Sequence, residues 1–208
     1  MILSHLLSAK VTSILRGISE QQVLPTVSAL YEGGIRSVEI TFNTPGAARM
    51  IEKVKENFGN KMLVGAGTVM DSTTARIAIL AGADFLLAPT LNQGMLETCN
   101  RYAKVAVPGV LTPTEIQTAY EMGAQIVKVF PASAFGPAYF KQIKGPLDHI
   151  TIMAVGGVSQ ENFKEYLRCG ADCVGVGGEL ANAKLIESGN FAAITEIAKK
   201  FTEVSSLS

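Results

Sequence analysis

The chain has 208 residues, 48% of them hydrophobic and 17% charged, which suits one domain, 1–208, with a sizeable core. Its 18 Lys and Arg balance its 18 Asp and Glu, so no basic field is present to attract nucleic acid. The longest apolar runs are strand-sized and interrupted by glycine or charge, which supports no membrane span.

In chain order, "MILSHLLSAK" reads as a short amphipathic helix, because it lacks the basic leading region and cleavage site of a signal peptide. Strand candidates follow at 11–16 (VTSILR), 36–41 (RSVEIT), 62–67 (MLVGAG), 84–89 (DFLLAP) and 105–109 (VAVPG). The series continues at 125–130 (QIVKVF), 150–155 (ITIMAV) and 172–177 (DCVGVG). Most are apolar on both parities, as parallel strands covered on both faces should be. Helical patterns fill the intervals. Ser19, Thr44 before Pro45, Asp71, Thr112 before Pro113, and Ser159 are the expected helix starts.

A weak repeat runs through "EGGIRSVEI", "LAGADFLLA", "EMGAQIVKV" and "RCGADCVGV": a glycine ends a helix and a strand begins. Eight such strands at roughly 20–26-residue spacing predict an α/β fold, a single (β/α)8 barrel behind a short N-terminal helix. A doubly wound open sheet shares the repeating unit, and the strand count favours the barrel. Cys99, Cys169 and Cys173 have no paired metal spacing, and His5 and His149 sit in no ligand motif. Free thiols in a reducing cytoplasm are expected, with no protein-built metal site.

In a barrel the chemistry sits at the C-terminal strand ends. Those ends carry Arg16, then Glu39 with Thr41 and Asn43, then Thr68, Pro89, Pro108, Lys128 with Phe130, Gly156-Gly157 and Gly177-Gly178. Lys128 shares parity with Ile126 and Phe130, and Glu39 with Ser37 and Thr41. Both should therefore point into the barrel while Val127, Val129, Val38 and Ile40 pack on helices. A buried ammonium is disfavoured, so the amine gains nucleophilic character, and a nearby carboxylate can shuttle its protons. The opposing reading is a buried ion pair without chemistry, or a lysine that snorkels outward. Lys141 and Lys144 read as solvated helix residues. The glycine pairs in "AVGGVS" and "GVGGEL" suit a phosphate site at the ends of strands seven and eight, or simply tight turns.

The motifs "VEITFNTPGA", "GAGTV", "PGVLTPTE", "VKVFPASAFGP", "AVGGVS" and "GVGGEL" closely resemble the 2-keto-3-deoxy-6-phosphogluconate/4-hydroxy-2-oxoglutarate aldolase family, over most of the chain. The resemblance implies a metal-independent class I aldolase that needs no cofactor, a cytoplasmic homotrimer of the Entner–Doudoroff type of carbohydrate metabolism. It implies Lys128 as the Schiff-base lysine and Glu39 as general acid/base. Thr68 matches a threonine near the pyruvate carboxylate, Pro89 and Phe130 match pocket residues, and Gly156, Gly157 and Gly178 match the phosphate region. The implied reaction is cleavage of 2-keto-3-deoxy-6-phosphogluconate to pyruvate and glyceraldehyde 3-phosphate, with 4-hydroxy-2-oxoglutarate as a further substrate.

Two positions depart from that pattern. Asn43 stands where many phosphogluconate-type members carry a carboxylate-binding arginine, and "ILRGI" with "NTP" resembles the phosphogalactonate branch. Arg16 is the expected replacement clamp. Glu179 stands where some members have a serine that donates to phosphate, so either the grip is weaker or Glu179 turns away. An isomerase or epimerase, and a non-catalytic sugar-acid-binding barrel, are the competing functions; neither needs an amine nucleophile.

Overall fold

The structure is a computed structural model describing residues 2–203; Met1 and residues 204–208 of the expected 1–208 domain lie outside the described residues. Helix α1 (Ile2–Ala9) leads into β1 (Val11–Leu15), α2 (Val23–Glu32), β2 (Ser37–Thr41), α3 (Ala47–Phe58) and β3 (Leu63–Gly67). Next come α4 (Ser72–Leu80), β4 (Phe85–Leu87), α5 (Gln93–Arg101), β5 (Val105–Val107), β6 (Gly109–Val110) and α6 (Pro113–Glu121). The chain continues through β7 (Val127–Val129), α7 (Pro137–Lys144), β8 (Ile152–Val155), α8 (Phe163–Arg168), β9 (Cys173–Val176), α9 (Ala183–Glu187) and α10 (Phe191–Thr202).

All strand pairings are parallel, in the order β5-β4-β3-β2-β1-β9-β8-β7-β6. The ninth strand, one more than expected, is the second half of the run at 105–110, broken where Pro108 has no N–H to give. β5 pairs with β4, β6 pairs with β7, and the Pro108 carbonyl accepts from Lys128 N at 2.8 Å. One interrupted strand thus touches both ends of the sheet and closes the barrel.

Strand alternation sorts the apolar residues into two cores. Val38, Ile40, Val127 and Val129 face outward into the layer beneath the helices. Ile14, Phe85, Ile126, Met153 and Cys173 fill the barrel, and Leu6 of α1 joins them with Ile2, Leu3 and Leu7. The amphipathic N-terminal helix is therefore a plug whose apolar side continues the interior core.

The repeat is real in the backbone. Gly34, Gly82, Gly123 and Gly170 all adopt positive φ, between 90° and 109°. In each case the following residue's N–H reaches back to a helix carbonyl, as in Ile35 N to Leu30 O and Ala171 N to Tyr166 O. The two "GAD" junctions go further. Asp84 accepts from Val64 N at 2.9 Å and pairs with Lys55 at 2.9 Å; Asp172 accepts from Ile152 N at 2.8 Å and pairs with Lys144 at 3.0 Å. Lys144 is therefore not a solvated face residue, because it ties α7 to the strands; Lys141 is exposed as expected.

Three helix starts also differ from expectation. Asp71 caps α4, and Thr112 forms a capping box with Glu115. By contrast α2 begins at Val23, because Ser19 opens a turn in which its N–H donates to Gln22 Oε1 at 3.1 Å. α8 begins at Phe163 after the same device, Ser159 N to Asn162 Oδ1 at 2.8 Å. α3 begins at Ala47 because Thr44 is engaged elsewhere, with the loop that carries Arg16.

Candidate active site

Lys128 sits mid-strand on β7, 4% exposed, and Glu39 mid-strand on β2, 1% exposed. β8, β9 and β1 separate them around the sheet, so the two side chains face each other across the barrel. Among the described residues they make no ion pair within 4.0 Å, yet each feels the other's charge.

Burial pushes the Lys128 ammonium below the ordinary lysine range; Glu39 works against that shift, and Arg16 adds to it. Burial likewise raises the Glu39 carboxyl above the usual range, against the pull of Lys128 and Arg16. Both shifts move the groups toward their neutral forms, which are an amine able to attack a carbonyl and an acid able to give a proton. The Lys128 nitrogen also lies 4.7 Å from the centre of the Phe130 ring, which holds it from the same strand face.

Room for Glu39 comes from β3. Glu39 is level with Gly65, and Thr41 with Gly67. A Cβ on Gly67 would collide with the Glu39 carboxylate, and one on Gly65 with the Phe85 ring. Among the described residues the buried Glu39 Oε2 has no hydrogen-bond partner, and so remains available to a bound molecule. On the far wall, a Cβ on Gly109 would overlap the Pro89 carbonyl, so that glycine lets the β4 and β6 ends close beside Lys128.

A cavity of about 600 Å³ opens at this end of the barrel. Arg16, Lys128, Phe130, Gly156, Gly157 and Gly178 are among the residues that line it. Arg16 follows β1 directly and is exposed. Its backbone is clamped on both sides: Thr41 Oγ1 donates to Leu15 O at 3.3 Å, and Gly17 N donates to Thr44 Oγ1 at 2.9 Å. Thr41 and Thr44 are themselves 3.1 Å apart through their hydroxyls.

Glu39, Asn43, Thr68 and Pro89 are not among the residues that line this cavity. Thr68 follows β3 at φ 56°, a left-handed backbone uncommon for a β-branched residue. Pro89 follows β4 and is half-buried, and Asn43 is exposed in the turn after β2. Glu179 lines the cavity, and its Oε2 accepts from Gln160 N at 2.7 Å. This bond joins the loops that follow β8 and β9. Gly67, Thr41 and Thr44 were not singled out for these supporting roles. For Gly67 the signal was legible, since "GAG" puts two glycines on one face of β3.

Among the described residues no group of three or more His, Cys, Asp or Glu could hold a metal. A lysine buried mid-strand, a buried carboxyl on the opposite wall and a guanidinium in the cavity of this (β/α)8 barrel accompany sequence relationships that make the protein a class I aldolase, a carbon–carbon lyase. The KDPG and KHG aldolase family model matches residues 2–197, and the chain belongs to that family. It is 36% identical over 172 residues to the 2-dehydro-3-deoxy-6-phosphogalactonate aldolase of Escherichia coli K12, covering 82% of this chain and 84% of the relative. It is 31% identical over 205 residues to the 2-dehydro-3-deoxy-phosphogluconate aldolase of Haemophilus influenzae, covering 98% and 96%. The crystal structure of a KDPG aldolase from Legionella pneumophila, with pyruvate captured as a covalent carbinolamine intermediate, superposes with a TM-score of 0.89 at 28% identity, covering 96% and 97%.

Proposed function

We propose that this enzyme cleaves 2-keto-3-deoxy-6-phosphogluconate to pyruvate and glyceraldehyde 3-phosphate, and 4-hydroxy-2-oxoglutarate to pyruvate and glyoxylate. The observation that carries the reading is Lys128, buried and facing Glu39 across the barrel, with Arg16 at the rim. Lys128 Nζ adds to the C2 ketone; loss of water, with a proton from Glu39, gives the protonated imine. That imine takes up the electron pair of the C3–C4 bond while Glu39 removes the C4 hydroxyl proton, so an aldehyde leaves and an enamine stays on Lys128. Protonation of the enamine at C3 and hydrolysis then release pyruvate and the free amine. No separate cofactor is required, because the imine is the electron sink. Arg16 and Thr68 orient the carboxylate, Pro89 and Phe130 wall the ketone, Asn43 borders the entrance, and Gly156, Gly157 and Gly178 face the phosphate end.

The phosphogalactonate series is the second reading. It is favoured by Asn43 in the β2–α3 turn, by Arg16 in the cavity, and by the 36% identity to an enzyme of that name. Comparing kcat/KM for the gluconate-derived, galactonate-derived and 4-hydroxy compounds separates the readings: the phosphogluconate substrate is expected to lead, and a lead for the galactonate epimer would replace the first reading by the second.

The enzyme is further read as a cytoplasmic homotrimer. Free thiols at Cys99, Cys169 and Cys173 suit a reducing compartment. Ile77 and Leu80 are exposed on α4 close to exposed Met70, a surface suited to burial against another copy. Sedimentation equilibrium is expected to give three times the chain mass, and a monomer would overturn the assembly.

A further inference from the structure

A carboxylate from the β9 loop bonds to backbone at the cavity wall. Three successive backbone N–H groups after β8 are of the kind that gather round an anion. Here each already bonds to one of the protein's own oxygens. Ser159 N donates to Asn162 Oδ1 at 2.8 Å, Gln160 N to Glu179 Oε2 at 2.7 Å, and Glu161 N to Ser159 Oγ at 3.3 Å. The middle acceptor is the decisive one, because it is a carboxylate, it comes from the neighbouring β9 loop, and it lines the cavity.

We propose that Glu179 is a specificity-determining residue that weakens selection for a phosphorylated distal end. The same site then also cleaves 2-keto-3-deoxy sugar acids that end in a free hydroxyl. A phosphate carries about −1.5 to −2 charge at neutral pH and has only acceptor oxygens to offer there. It must displace Glu179 from Gln160 N and remain beside a like charge. A terminal hydroxyl can instead donate to the Glu179 carboxylate and leave the Gln160 bond in place. Gly177 and Gly178 leave open space on this side, so the loop has room for either end.

The inference rests on the aldolase reading, and its test is arranged to fail separately. kcat/KM is measured for 2-keto-3-deoxygluconate with and without its 6-phosphate, in the unmodified enzyme, Glu179→Gln and Glu179→Ser. Glu179→Gln removes the charge while keeping an acceptor of the same reach, and Glu179→Ser removes the charge and shortens the side chain. The phosphorylated compound should gain about tenfold through KM, from relief of like-charge repulsion, while the unphosphorylated one does not gain. An unchanged ratio between the two compounds in both variants overturns the proposal. In parallel, glycerol 3-phosphate is titrated by phosphorus NMR, with thermal melting as a check of folding. Its Kd should fall about tenfold in the variants, and an equal Kd overturns the proposal whether or not any substrate is cleaved. If neither sugar acid is cleaved but the Kd falls, the gluconate-series reading fails and the assignment of Glu179 to the anion site stands.

Discussion

The Glu39 carboxylate lies where a side chain at Gly67 would have to be. The two belong to neighbouring strands, Gly67 being level with Thr41, two residues beyond Glu39 on the same inward face. β3 therefore yields its own side-chain space to the carboxylate of β2. Gly67→Ala must either push Glu39 toward Lys128 or distort β3. The expected cost is about 1–3 kcal/mol in stability. Activity should fall more than that loss of folded protein explains, which kcat measured on folded enzyme beside chemical denaturation will check.

Removing Glu39 should change both the rate and the basicity of Lys128. Glu39→Gln is expected to lower kcat by about 10²–10⁴-fold, the usual worth of a positioned acid/base. The sign of the pH effect follows from the charges. Glu39 raises the Lys128 pKa, so its loss lowers that pKa further and leaves more free amine at a given pH. Competitive acylation of Lys128, followed across pH by mass spectrometry, should show the midpoint moving to lower pH. A midpoint that rises would refute the electrostatic coupling across the barrel.

Arg16 acts on Lys128 in the opposite direction. Its guanidinium lowers the Lys128 pKa, so Arg16→Ala should move the same midpoint upward. The lost carboxylate clamp should also raise KM for pyruvate in the condensation direction. Unchanged affinity for pyruvate would exclude the clamp, even if the midpoint moved.

Thr44 holds the Arg16 loop without facing the cavity. Thr44→Val removes the acceptor of Gly17 N and should raise KM severalfold with little change in kcat, and Thr44→Ser should restore both. Gly17 is exposed and the bond only partly buried, so water can replace the lost acceptor and the melting temperature should change little. A loss of kcat alone would point to a different role.

Much of this architecture is written in local sequence. Strand parity placed Ile126, Lys128 and Phe130 inside and Val127 and Val129 outside, and the junction glycines occur where the repeat put them. The failures have a common physical cause. Ser19, Thr44 and Ser159 have the chemistry of helix caps, but each is occupied by a turn or by a neighbouring loop. Lys144 looked solvated because Asp172 is distant in sequence, and the bond from Gln160 N to Glu179 joins two separate loops. Contacts between segments far apart in the chain leave no periodic trace.

The central claim is that Lys128 carries the substrate as an imine. Incubation with pyruvate and borohydride, followed by peptide mapping, tests it directly. The expected result is a pyruvate-derived adduct reduced onto Lys128, lost in Lys128→Met, with Lys141 and Lys144 unmodified. An enzyme that cleaves its substrate yet traps nothing on Lys128, where a control class I aldolase is trapped, would contradict the account.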